Sequence, residues 1–147
     1  MNAIQSIVVK KQTLKIESKT DRLVAVRDFV SQAAYASGFN DEEVSKIALA
    51  VDEACTNVIK HAYHYDPKKQ ITITVTANNG EFEVSIVDNG KQFDPKRIKQ
   101  PDMKEYLSSY RRGGLGVYLM KSLMDKVEYD IEPGKRNQVR LVKHIPR

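Results

Sequence analysis

Residues 70–90 read QITITVTANNGEFEVSIVDNG. Ile71, Ile73, Val75 and Ala77 alternate with Thr72, Thr74 and Thr76, the period that gives a strand one apolar and one polar face. Asn78-Asn79-Gly80 holds residue types that tolerate the left-handed backbone region, so the chain reverses there, and Phe82, Val84 and Ile86 alternate back. The stretch is therefore an antiparallel hairpin, ended by Asp88-Asn89-Gly90. Its single apolar face needs a covering layer, and helices have to supply it.

The covering helices stand upstream. From Asp21 to Ser37 the apolar residues Leu23, Val26, Phe29, Val30, Ala33 and Ala34 follow helical spacing, with Thr20 as the expected cap and Gly38 as the left-handed stop. Asn40 opens a second helix with Glu43 at the capping-box position. Its stripe runs Val44, Ile47, Ala48, Val51, Cys55, Val58 and Ala62 until Asp66-Pro67 ends it. Before both, Ile4 to Glu17 alternates loosely and reads as one strand or two short ones.

Downstream, a basic, proline-punctuated segment reaches Arg112, with room for a short helix around residues 102–108. Gly113-Gly114-Leu115-Gly116 then leads into a helix through Asp125, with Val117, Leu119, Met120, Leu123 and Met124 apolar. Strands Val127 to Ile131 and Gln138 to His144 flank a turn at Glu132 to Asn137. The order predicts an α+β two-layer sandwich: a mixed, mostly antiparallel sheet with helices on one face. One domain is expected over residues 1–147.

With 41% apolar and 29% charged residues, the composition excludes wholesale disorder. One cysteine and three histidines give neither an internal disulfide nor a recognisable zinc site. No apolar run is long enough to span a bilayer, and Met1 to Val9 lacks the marks of an export signal, so a cytoplasmic protein is expected. The net charge of +5 is unevenly placed. Residues 1–66 hold eight basic and nine acidic side chains, whereas Lys91 to Arg112 alone holds seven basic and three acidic. That segment calls for an anion. Nucleic acid is a poor candidate, because no aromatic-rich basic stripe accompanies the charge.

Three constellations can carry chemistry. Glu53, Asn57 and His61 recur every four residues, a polar row beside the apolar stripe, with Lys60 flanking it. A carboxylate one turn before a carboxamide suits magnesium-dependent phosphoryl chemistry, although the same spacing fits an ordinary solvated helix flank. Asp88-Asn89-Gly90 places a carboxylate at the end of a buried strand, where it can accept from an exocyclic amine or simply make a turn. Arg112 followed by Gly114, Leu115 and Gly116 at a helix start offers converging backbone N–H groups to a phosphate, or serves as a linker. Neither a Walker pattern nor a dinucleotide fingerprint is present.

Taken in order, DEACTNVIKHAY, VDNGKQFDP and GGLGVYLMKSLMD resemble the N, G1 and G2 boxes of the GHKL-type ATPases and kinases, the superfamily with the Bergerat ATP-binding fold. The likeness spans residues 45–144 and is strongest to the stand-alone anti-sigma factor serine kinases of bacteria. It implies ATP and Mg²⁺ as cofactors. It makes Glu53 the general base for a serine hydroxyl, Asn57 the magnesium ligand and Asp88 the reader of the adenine amine, with Gly90 allowing close approach of the base. Gly114, Leu115 and Gly116 would wrap the phosphates, Arg112 would touch the terminal one, and Lys60 and His61 would line the pocket. Gln92 stands where the family usually has a second glycine, and Gln138 where it often has a threonine near the base.

The function so implied is an anti-sigma factor and serine kinase. It would phosphorylate a small STAS-type antagonist, sequester a sigma factor, act as a homodimer, and need neither a membrane nor direct nucleic-acid contact. The alternative is a nucleotide-gated binding switch without catalysis. Cys55, Met120 and Met124 are expected in the core, and Tyr63 and Tyr65 over the helix end.

Overall fold

The alternation of residues 70–90 becomes β2 (Gln70–Asn78) and β3 (Glu81–Asp88), antiparallel with Ile73 opposite Ile86 and Val75 opposite Val84. Asn79 and Gly80 both adopt positive φ, 52° and 77°, so the turn's twist matches that of the strands it joins. These coordinates come from a computed structural model that describes residues 10–90, 116–132 and 134–146.

β1 (Lys10–Glu17) pairs with β2, placing Ile16 opposite Ile71. β5 (Arg136–His144) lies on the other side of β3, and β4 (Lys126–Glu132) closes the sheet, in the order β1-β2-β3-β5-β4. Every described pairing is antiparallel, the limiting case of the mostly antiparallel sheet expected. Ile71, Ile73, Val84, Ile86, Val139 and Leu141 form the buried face. The opposite face carries polar cross-strand pairs, among them Thr13 with Thr74 at 3.3 Å and Gln138 donating to Ser85 at 2.7 Å.

α1 (Leu23–Ala36) and α2 (Asp41–Asn57) contribute Val26, Val30, Ala34, Ile47, Val51 and Cys55 to the same core. Phe39, between the two helices, meets Phe82 edge to face with ring centroids 5.4 Å apart. Gly38 has φ 105° and stops α1 as expected. Thr20 does not cap α1: it begins a single 3-10 turn, Thr20–Arg22, and α1 starts at Leu23 without a side-chain cap. The entry is held instead by Glu17, which pairs with Arg22 at 3.0 Å and Lys19 at 3.6 Å.

Asn40 caps α2 through Oδ1, which accepts from the Glu43 N–H at 2.9 Å. The reciprocal half of the capping box is missing. The Glu43 carboxylate pairs with Lys143 at 3.0 Å, because Lys143 is only 9% exposed and its ammonium needs a counter-charge. Lys143 Nζ also donates to the Leu123 carbonyl at 2.9 Å, at the end of α3 (Gly116–Leu123). Asp125 follows α3 instead of closing it, its N–H bound to Val142 O and its carboxylate accepting from the His144 N–H. Met120 and Met124 are core residues, as expected.

Ile7 and Val9 of the expected first strand, the basic segment from Lys91 with Gln92, the short helix at residues 102–108, and Arg112 to Leu115 lie outside the described residues. Gly116 is the first residue of α3. Among the described residues no helix is long and apolar enough to cross a membrane.

Candidate functional site

α2 does not end as an ordinary helix. Val58–Ala62 forms a π-helical turn, with the Tyr63 N–H reaching Val58 O at 2.9 Å. Such a turn holds one extra residue and recurs at functional sites. His64 and Tyr65 then take positive φ, 48° and 64°, a conformation that bulky residues hold only when the surroundings impose it.

The widened turn forms one wall of a cleft lined by Ala54, Asn57, Val58, His61 and Ala62. The floor and opposite wall come from Ile86 and Asp88 of β3, Asn137, Gln138 and Val139 of β5, Tyr129 and Ile131 of β4, and Met120 of α3. Asn57, His61 and Asp88, far apart in sequence, thus share one mostly apolar cavity with a few convergent polar groups. Glu53 and Lys60 are not on its walls. Glu53 is half-buried one turn before Asn57, and burial, aided by the neighbouring Asp52 and opposed by Lys60, raises its carboxyl above the usual range. His61 is exposed overall, and its partial desolvation lowers the imidazole, with Lys60 and His64 adding to the effect.

Asp88 is 5% exposed. Its Oδ1 accepts from the Gly90 N–H at 2.8 Å and from Asn137 Nδ2 at 2.9 Å. Desolvation raises its carboxyl, and those two N–H donors oppose the rise. Gly90 is required by its neighbours: a Cβ there would lie 2.8 Å from Ala62 O and 2.9 Å from Ala62 Cβ. The close approach visible at Gly90 is thus to the end of the π-turn.

Two residues of the site escape the sequence. Tyr63, 5% exposed, donates its hydroxyl hydrogen to Gln70 O at 2.6 Å and accepts from the Asn89 N–H at 2.7 Å, tying the helix end to the Asp88 turn. Its expected role over the helix end understated this, and nothing local marks a bond across 26 positions. The sequence pattern predicts a turn through Asn137, with Gln138 at the late-strand position where the family often has a threonine near the base. In fact β5 begins at Arg136, and Asn137 sits directly opposite Asp88. The pleat turns the Gln138 side chain to the other face, toward Ser85, while Gln138 still borders the cleft. Extending the β5 alternation Val139, Leu141 back by one step would have found Asn137.

Cys55 is buried on the apolar stripe, its thiol pushed up to about 12 by desolvation, so it is not a nucleophile. Among the described residues no group of three or more His, Cys, Asp or Glu could hold a metal. A divalent ion at Asn57 would draw most of its ligands from phosphate and water, as Mg²⁺ commonly does.

Residues 16–143 match the model of the histidine kinase-like ATPase domain. The chain belongs to this family. Among similar histidine kinase-like ATPases is the serine-protein kinase RsbW of Bacillus subtilis, 32% identical over 126 residues that cover 82% of this chain and 78% of that protein. The serine-protein kinase RsbW of Listeria monocytogenes is 34% identical over 128 residues, 84% of this chain and 82% of that one. The fold is shared with a structure of RsbU and RsbW domains from Mycobacterium tuberculosis, at TM-score 0.67 and 14% identity over 94% of this chain and 33% of that one. It is shared equally with the SiaB-SiaC complex of Pseudomonas aeruginosa, at TM-score 0.67 and 13% identity over 96% of this chain and 92% of that one.

Proposed function

We propose that this protein is an ATP-dependent serine kinase and anti-sigma factor, phosphorylating a small STAS-type antagonist and sequestering a sigma factor as a homodimer. The observation that carries this is the meeting of Asn57 and Asp88 in one apolar cleft, with Glu53 one helical turn from Asn57. The relatives at 32% and 34% identity are named serine-protein kinases, which supports the same reading.

In this reading Asp88 accepts the adenine amine while Val58, Ile86, Met120 and Val139 bury the ring. Asn57 supplies an amide oxygen to Mg²⁺, which when bound neutralises the phosphate oxygens. Lys60 and His61 add charge and hydrogen bonding near the phosphates. Gly114, Leu115 and Gly116 wrap those phosphates, and Arg112 contacts the terminal one. Glu53, with its raised carboxyl, takes the serine proton as the serine oxygen forms its bond to the terminal phosphorus and the bond to ADP breaks. Phosphoryl transfer needs mostly positioning and charge neutralisation, so no covalent enzyme intermediate is required.

The test is transfer from labelled ATP to a matched antagonist. Glu53→Gln should keep nucleotide and partner binding and lose at least about 100-fold in transfer rate. Unchanged transfer removes Glu53 as the base. Nucleotide binding without transfer by the wild type makes the protein a nucleotide-gated switch, and calorimetry showing no binding of ATP with Mg²⁺ defeats the reading entirely.

A further inference from the structure

β5 turns Asn137, Val139, Leu141 and Lys143 toward the helices, every second residue from the cleft to the far end of the strand. At the last of these positions the pattern calls for an apolar residue. Lys143 is instead 9% exposed and, among the described residues, the one buried cation. Burying an ammonium is costly, and an apolar side chain of the same length would fill the space without that cost. What the ammonium adds is direction. Its Nζ lies 3.0 Å from Glu43 Oε2, in the first turn of α2, and 2.9 Å from the carbonyl of Leu123, the last residue of α3.

α2 and α3 pack side by side. Lys143 joins the start of one to the end of the other, so the two helices run in opposite directions. Further along the pair, Ala54 and Asn57 of α2 and Met120 of α3 wall the cleft, which Lys143 itself does not line. At 1.5 Å per residue roughly 20 Å of helix separates Glu43 from Asn57, so a tilt of about 5° at the junction moves the Asn57 end by roughly 2 Å. The end of α3 is also tied to β5 without Lys143: the Asp125 N–H donates to Val142 O at 2.9 Å, and the His144 N–H to Asp125 Oδ2 at 2.7 Å. Removing the ammonium therefore leaves α3 on the sheet and cuts its link to α2. We propose that Lys143 is a positioning residue that fixes α2 against α3 at one end of the pair and so sets the width of the cleft at the other. This rests on reading the cleft as the nucleotide site.

The experiment is stopped-flow and calorimetric binding of ATP with Mg²⁺ to the wild type, Lys143→Met, Glu43→Gln and the double variant, with Ile71→Val as control. Lys143→Met keeps the volume and loses both bonds, and should weaken ATP on the order of tenfold, chiefly through faster release. Glu43→Gln should weaken it less, and the double variant no more than Lys143→Met alone, because both act through one link. Ile71→Val trims the buried sheet face away from the cleft. A chain that stays folded after losing some stability keeps its affinity, so this variant should bind ATP as the wild type does. Wild-type affinity in Lys143→Met would overturn the positioning role. So would an equal loss in Ile71→Val, which is what a merely structural role produces. Should Lys143→Met not fold, Glu43→Gln decides: it has to weaken ATP by at least about twofold, and unchanged affinity overturns the role. Failure of the wild type to bind ATP would instead remove the nucleotide reading of the cleft, and the positioning role with it.

Discussion

Gly90 shows how one missing methyl group can hold a site together. A Cβ at this position would press on Ala62 O at 2.8 Å and on Ala62 Cβ at 2.9 Å, and neither backbone nor an alanine methyl can swing away. Its φ lies outside the positive range, so the penalty on substitution is steric alone. Gly90→Ala should destabilise the protein by about 2 kcal/mol, as overpacking does, and should weaken nucleotide binding because the displaced turn carries Asp88. Thermal melts and calorimetry of the variant check both, and an unchanged melting temperature would contradict the contact. The residue types of the cleft were legible because Asn57, His61 and Asp88 carry recognisable chemistry at recognisable spacing. Tyr63 and Asn137 were not, because their roles arise from pairings across strands and loops that no local pattern encodes.

At the scale of elements, periodicity disclosed nearly everything regular: the β2–β3 hairpin, both long helices and the final strand pair. What it missed were the ends, where tertiary partners decide. The π-turn at Val58–Ala62 is invisible to a pattern of apolar spacing, since Val58 and Ala62 are buried in an α-helix and in a π-turn alike. The capping box failed because Lys143 claims Glu43, linking the start of α2 to β5 and, through the Leu123 carbonyl, to the end of α3. That link has a pH signature. Lys143, through its hydrogen bond and charge, holds the Glu43 carboxyl below its ordinary value of 4.5. A depressed carboxylate contributes stability that is present above the unfolded value and is lost as pH falls through the folded one. Wild-type stability should therefore drop on acidification below about pH 4.5, and Glu43→Gln should be less stable at neutral pH with a flatter acid limb. Urea unfolding at a series of pH values measures this, and parallel profiles for the two proteins would contradict it.

Across the whole molecule, one sheet face and the helices above it enclose a continuous core, and α2 runs through that core with the candidate site residues Glu53 and Asn57 on one flank and Cys55 on another. The sheet order was not readable from the sequence beyond its hairpins, because which edge of β3 receives β5 depends on long-range pairing. Cys55 lies within two residues of both Glu53 and Asn57, yet it is sealed from solvent and held as a neutral thiol. A thiol reagent can reach it only when the core opens, so the rate of Cys55 labelling becomes a built-in clock of opening events. ATP that binds only the closed form should slow the clock by the ratio of its concentration to its dissociation constant, plus one, about 100-fold at one hundred times the dissociation constant. A labelling rate indifferent to saturating ATP would mean that the nucleotide does not hold this core shut. Because Cys55 is the protein's single cysteine, that clock can be read on the unmodified wild-type chain, with no reporter group introduced.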